Sequence, residues 1–258
     1  MNNKNLLILP FDHRSSFSKK IMGYEGDLTP EQINKVKELK GIVFDAFLKV
    51  REQYENKKMF GILVDDEFGM EIIEKAKNLG IKHAVAVEKS GQEIFTLEHG
   101  RKFKKYIEKT DPTFIKALVR YNPENKKINK RQLKNLEKLS KYCQKTNRKL
   151  LFELLVPATE KDLAEEKNGS GYDLAIRPAK TIEAINELKE KVKVDLWKIE
   201  GVDAKSWPGV LEAIGNNSEV IVLGRGAHEA QVRSWLTDAA TFNEVIGFAI
   251  GRTIFQIH

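Results

Sequence analysis

Short apolar runs alternate along the chain with longer stretches whose apolar residues recur every three to four positions. The short runs cover 6–11, 60–64, 83–87, 114–118, 150–155, 194–199, 220–223 and 247–250. They read as strands buried on both faces. The longer stretches, 30–54, 70–79, 98–108, 130–145, 179–191, 208–214 and 228–237, have helical periodicity. The first opens with Thr29, Pro30 and Gln32, which supply an N-cap hydroxyl, a proline at the first helical position and the partner of a capping box. Eight strands alternating with helices predict a single-domain (β/α)8 TIM barrel over 1–258. An open, doubly wound sheet is the alternative, but no Gly-x-Gly-x-x-Gly follows the first strand. The irregular stretch 157–172 follows strand five, on the face where barrels carry active sites and long loops act as lids. The sequence ends a few residues after strand eight, so the expectation is either a barrel without the usual C-terminal helix or a truncated sequence.

Composition narrows the class. Hydrophobic residues make up 41% of 258 positions, enough for one large core. Cys143 is the only cysteine, so no internal disulfide forms and a reducing cytoplasm is expected. The apolar run 6–11 is too short for a signal sequence, and no stretch reaches membrane-spanning length. The formal charge of +7 raises nucleic acid as a partner. However, the basic runs 101–105 and 126–131 fall in or beside helices, lack interleaved stacking aromatics and are followed by Glu108 and Glu137. They read as solvated helix faces, so neither nucleic acid nor membrane is an expected partner.

Polar residues gather at the C-terminal ends of the strands. They comprise Asp12, His13 and Arg14 after strand one; Asp65, Asp66 and Glu67 after strand two; Glu88 and Lys89 after strand three; and Arg120 after strand four. Strand five carries Glu153, strand six Lys198 and Glu200, strand seven ends in Gly224, Arg225 and Gly226, and strand eight in Gly251 and Arg252. Lys198 stands out because it interrupts an apolar run, and a buried ammonium costs several kcal/mol unless it is paired or neutralised. Residues two apart share a face of a strand, which turns Leu196, Lys198 and Glu200 inward together and Trp197 and Ile199 toward the helices. Lys116, on strand four, and Glu153 should converge with Lys198. Each residue alone is equally well explained as half of a satisfied ion pair.

As a group they suit Schiff-base chemistry. Lys198 supplies the amine, Lys116 tunes it by like-charge repulsion, and Glu153, Glu200 or Asp12 moves protons. Gly224 to Gly226 and Gly251 with Arg252 are the expected phosphate anchor, while His13, Arg14, Glu88 and Arg120 are candidates for the rest of the substrate. No metal or cofactor is assigned. Asp65, Asp66, Glu67 and Glu88 could instead hold Mg²⁺, although exposed carboxylates or a helix N-cap explain the acidic run equally well. Zinc is disfavoured because the histidines are scattered. Trp207 and Trp235 read as packing, and His83 and His99 receive no role. Tyr172, Asp173 and Arg177 could reach substrate from the long loop or simply cap and pair at the surface.

Five motifs occur together and in order: Pro10-Phe-Asp-His-Arg-Ser-Ser-Phe17, Leu154-Leu-Val-Pro-Ala-Thr159, Trp197-Lys-Ile-Glu-Gly201, Ile221-Val-Leu-Gly-Arg-Gly226 and Gly247-Phe-Ala-Ile-Gly-Arg-Thr-Ile-Phe255. In these the chain resembles the family called domain of unknown function 2090. That family is similar to the 2-deoxy-5-keto-gluconate-6-phosphate aldolase of myo-inositol breakdown, often fused behind a sugar kinase. More distantly, the chain resembles class I tagatose-bisphosphate aldolases. Their imine-forming lysine matches Lys198, their strand-four lysine Lys116, their strand-one aspartate Asp12 and their strand-five glutamate Glu153. Their phosphate sites match Gly224 to Gly226 and Gly251 with Arg252, and the chain departs from them at Arg225, where a small residue is usual. The resemblance implies a cofactor-independent aldolase acting on a sugar phosphate, with a sugar kinase or a second copy of the chain as protein partners. An aldolase of another ketose or sulfosugar phosphate, a divalent-metal-dependent lyase and a non-catalytic sugar-phosphate-binding regulatory module are the alternatives.

Overall fold

Runs rich in Leu, Ile, Val and Phe form β1 (Leu6–Pro10), β2 (Phe60–Val64), β3 (Lys82–Ala86), β4 (Phe114–Arg120), β5 (Lys149–Leu155), β6 (Leu196–Glu200), β7 (Glu219–Leu223) and β8 (Val245–Ala249). The computed structural model describes residues 5–165 and 171–255. Each strand pairs in parallel with the next, and β8 returns to β1 through Leu6↔Gly247, Leu7↔Phe248 and Ile8↔Ala249. The result is a closed eight-stranded barrel. The sequence places the start of β6 at 194, but the strand begins at Leu196. Asp195, just before it, uses its carboxylate to accept the Leu150 N–H at 2.8 Å.

The helices are α1 (Ser15–Met22), α2 (Pro30–Glu52), α3 (Asp66–Asn78), α4 (Phe103–Thr110), α5 (Lys126–Lys145), α6 (Glu160–Glu165), α7 (Tyr172–Ala175), α8 (Arg177–Lys189), α9 (Trp207–Ile214), α10 (Glu229–Ala239) and α11 (Arg252–Phe255). The capping box at the start of α2 is formed, with Thr29 N–H donating to Gln32 Oε1 at 2.9 Å and Gln32 N–H to Thr29 Oγ1 at 3.3 Å. Four short helices, α1, α6, α7 and α11, lie where periodicity gives no signal, because a helix of one or two turns shows too few repeats. After β8 the described residues contain only the single turn α11. Residues 166–170, including most of the glycine-rich part of the 157–172 loop, lie outside the described residues. No helix among the described residues is long and apolar enough to cross a membrane.

Two apolar layers hold the barrel. Leu6, Ile8, Leu63, Leu151, Leu196 and Ile221 are among the residues that fill its interior. Trp197, Ile199, Val220 and Val222 face the helices in the larger core between sheet and helices. This alternation leaves the positions above the interior layer, on β4, β5 and β6, for polar side chains.

Closure depends on one close approach. Val220 lies opposite Val245 but Ile221 opposite Gly247, so Ile246 is an extra residue in β8. A Cβ on Gly247 would sit 1.9 Å from the Leu6 carbonyl oxygen. Gly247→Ala must therefore push β8 from β1, and it should lower stability by about 3 kcal/mol. A urea midpoint equal to that of the parent protein would show that the seam does not constrain the barrel.

Candidate active site

The register that pairs Leu118 with Glu153, and Glu153 with Lys198, sets Glu153 beside Lys198, with Lys116 two positions before Leu118 on the same inward face of β4. Glu153 bridges the two lysines. Its Oε1 lies 2.9 Å from Lys198 Nζ and its Oε2 lies 3.1 Å from Lys116 Nζ. Lys116 Nζ also lies 2.7 Å from Asp12 Oδ2 and 2.5 Å from Glu88 Oε1. Lys116, Glu88, Glu153 and Lys198 are all buried, and the Asp12 side chain is 9% exposed. Removing so many charges from water costs several kcal/mol per ion, which only dense pairing offsets.

The cluster sorts its members. Burial opposes the charge on Lys116, but Asp12, Glu153 and Glu88 outweigh it and hold its pKa well above the ordinary lysine value. Lys116 is a fixed ammonium. Burial likewise works to protonate Asp12 and Glu153, yet Lys116 and Lys198 overcome it and lower both pKa values. Glu88 goes the other way. Burial raises its pKa, the neighbouring Asp12 adds to the rise, and Lys116 offsets only part of it. With three carboxylates against two lysines, Glu88 is the carboxyl most disposed to keep a proton.

These groups lie at the floor of a cavity of about 300 Å³. Of the residues singled out from sequence, His13, Arg14, Glu88, Arg120, Gly224, Arg225, Gly226, Gly251 and Arg252 also line it. Arg14 is already committed, donating to Glu98 Oε2 at 2.9 Å and to the Glu88 carbonyl at 2.6 Å. It ties the loop after β1 to the turn after β3, where Glu88 pairs with Leu97 in an isolated antiparallel bridge. Arg120 stands exposed at the lip and donates to the Gln92 carbonyl at 3.2 Å. On the opposite rim Gly226, with φ +74°, lies so close to Arg252 that a Cβ would come 3.1 Å from its guanidinium carbon. His13 has an Nδ1 that is buried without a partner, and burial, opposed by Asp12 and reinforced by Arg252, lowers its pKa to about 4.

Two expectations meet a different geometry. Glu200 shares the inward parity of Lys198 but does not line the cavity. It accepts the Val156 N–H at 3.0 Å and pairs with Arg225 at 3.2 Å. One pleat further along β6 than Lys198, it belongs to the rim network rather than to the amine. Lys116 and Lys198 do not oppose each other directly either, because Glu153 stands between them with one oxygen on each. Arg225, at φ 53°, has its guanidinium held by Asp173 at 2.8 Å as well as by Glu200. Asp173 also receives Arg177 at 2.9 Å, so these loop residues tie the rim together.

The acidic run after β2 is split among structural partners. Asp65 caps α3 through the Phe68 N–H at 2.9 Å and pairs with the fully buried Lys40, and Asp66 pairs with His99 at 2.8 Å. Among the described residues no group of three or more His, Cys, Asp or Glu is arranged to hold a metal ion. Lys40 carries a sequence signal in its spacing from Val36 and Phe44, which places it on the buried stripe of α2. Glu98 and Asp173, the partners that fix Arg14 and Arg225, lie 84 and 52 positions away and carry no local signal.

Lys116 is the charge that makes the floor of the site stable. The lowered pKa values of Asp12 and Glu153 contribute stability above their ordinary values of 3.8 and 4.5, which is lost as pH falls through the folded values. Lys116→Met removes the counter-charge, so burial raises those pKa values instead and the sign reverses. The variant should lose about 3–5 kcal/mol at neutral pH and recover part of it near pH ~4. Urea midpoints across that range measure the effect, and a variant whose deficit is constant with pH would contradict it.

Comparison with known proteins agrees with this architecture. Over residues 1–257 the sequence matches the family described as uncharacterized protein conserved in bacteria, DUF2090. No curated protein matches it. A Schiff base-forming fructose-1,6-bisphosphate aldolase has a similar structure, with TM-score 0.61 and 14% identity over 98% of this chain and 89% of that one. An archaeal fructose 1,6-bisphosphate aldolase gives TM-score 0.63 and 13% identity over 99% and 88%. The tetrameric deoxyribose phosphate aldolase of Aeropyrum pernix gives TM-score 0.50 and 8% identity over 95% and 85%. The fold is thus shared with these aldolases, and the chain belongs to the DUF2090 family.

Proposed function

We propose that the protein is a class I aldolase whose Lys198 forms a Schiff base with a phosphorylated keto sugar acid. The observation that carries this is a buried lysine amine 2.9 Å from a carboxylate that also binds a fixed ammonium, at the floor of an open cavity. Similar barrels include an enzyme described as Schiff base-forming, which supports the same chemistry.

The substrate proposed is 2-deoxy-5-keto-gluconate 6-phosphate, cleaved to dihydroxyacetone phosphate and malonate semialdehyde. Glu153 takes a proton from Lys198, whose amine then adds to the C5 ketone, and loss of water leaves an iminium ion. The carboxylate cluster removes the proton of the C3 hydroxyl while the C3–C4 bond breaks. That bond's electron pair moves into an enamine on Lys198, and the C1–C3 aldehyde departs. Protonation of C4 and hydrolysis of the imine release dihydroxyacetone phosphate and the free amine. Asp12 and Lys116 preserve the charge balance around the amine throughout.

Charge at the mouth supports a substrate with anionic groups at both ends. Among the described residues, Arg252 on one rim and Arg120 with Lys89 on the other have no carboxylate partner within 4.0 Å. β4 and β8 stand opposite each other in an eight-stranded barrel, so the two ends of an extended chain meet opposite cations.

Borohydride added during turnover should trap one adduct, mapped by peptide mass spectrometry to Lys198. Lys198→Ala should lose the adduct and at least about 10³-fold in kcat. Turnover should survive EDTA. An adduct on another lysine would overturn the mechanism, and substrate binding by both parent and Lys198→Ala without turnover would favour a binding module. Arg252→Leu should raise KM by about 10- to 100-fold, the loss of one charged hydrogen-bonding group, with kcat less affected.

A further inference from the structure

His13 is pinned from both sides. Asp12 is held by Lys116 at 2.7 Å, and Arg14 by Glu98 at 2.9 Å and the Glu88 carbonyl at 2.6 Å. Between these anchors the imidazole lines the cavity, yet its Nδ1 is buried with no hydrogen-bond partner among the described residues. A buried N–H without an acceptor is rarer than an unused acceptor, so the proton belongs on Nε2. We propose that His13 is a specificity-determining residue that meets the substrate as an uncharged imidazole, donating Nε2–H to a hydroxyl or carbonyl oxygen rather than binding an anionic end.

The surroundings enforce that state. The charged groups facing His13 are Asp12 beside it, Lys116 from β4, Lys198 from β6 and Arg252 from α11. Three cations oppose one carboxylate, and that carboxylate is already committed to Lys116. Together with burial they push the His13 pKa down to about 4, so the ring is neutral at physiological pH. An imidazolium would duplicate the anion binding offered by Arg252. A neutral ring instead supplies one directed donor between the two cationic rims, where a polyhydroxylated chain has its uncharged oxygens. Rejection of analogues lacking that oxygen is the expected consequence, because the donor would be left unpaired. The assignment of the bound oxygen to a sugar-like substrate rests on the aldolase function proposed above.

The protonation state can be read without any substrate. In the resting protein labelled with ¹⁵N-histidine, the resonances absent from His13→Gln should report a neutral Nε2–H ring from about pH 8 to about pH 5. An imidazolium at about pH 6.5, or a proton on Nδ1, would overturn the proposal. Kinetics then test the role with two isosteres. His13→Asn offers an amide only near the Nδ1 position and should lower kcat/KM by about 10- to 100-fold. His13→Gln places an N–H near Nε2 and should recover most of that loss. If Asn matches the parent, or Gln is no better than Asn in a protein that melts normally, the proposed donor is wrong. Absence of a borohydride adduct in the parent would defeat the aldolase function alone, and the resting-state spectrum would still decide the state of His13.

Discussion

The site depends on Glu153 giving one oxygen to each of two buried lysines. Without that bridge, Lys116 would keep Asp12 and Glu88, but Lys198 would lose its one carboxylate contact within 4.0 Å among the described residues. With it, the lysines and the three carboxylates form one connected network, in which each ion's lost hydration is replaced by short contacts. The bridge is a product of register. β4, β5 and β6 are staggered so that Glu153 lies beside Lys198 on one side and Leu118 on the other, and Lys116 is left free to reach across. A slip of one residue in β5 would turn Glu153 toward the helices. Closure at the β8–β1 seam, where Gly247 permits close contact with Leu6, is what holds such registers around the ring.

Much of this was legible in the sequence because parallel strands buried on both faces appear as unbroken apolar runs, and a period of two turns a single residue inward without ambiguity. That period turns Lys198 inward and Trp197 and Ile199 to the helix side, where the core places the latter two. Parity says which face a residue takes but not how high along the strand it stands. Glu200 illustrates the difference. It shares a face with Lys198, but at the rim it meets the Val156 N–H and Arg225 instead of the amine. Partners distant in sequence were also invisible, since nothing near Arg14 announces Glu98 and nothing near Arg225 announces Asp173.

The two Gly-Arg sequences show how identical local signals part in three dimensions. Arg225 extends from a left-handed backbone and is met by Asp173 and Glu200, so its charge is largely balanced within the protein. Arg252 lies against Gly226, has no carboxylate within reach among the described residues and keeps its charge for the cavity. A side chain at position 226 would displace the Arg252 guanidinium, so that glycine matters as much for where the cation rests as for the turn.

This partition bears on how a basic mouth could host the amine chemistry proposed for Lys198. Under the proposed aldolase function, unbalanced positive charge at the rim would also hold product anions. Compensating Arg14 with Glu98, and Arg225 with Asp173 and Glu200, leaves uncompensated charge at only a few points of the rim. Below, the carboxylates around Lys116 keep a proton acceptor beside the amine. The two levels have opposite electrostatic character, cationic at the mouth and carboxylate-rich at the floor. Glu153 lies at the boundary, and its contacts with both lysines would, under the proposed aldolase function, link proton transfer at the floor to the substrate in the mouth.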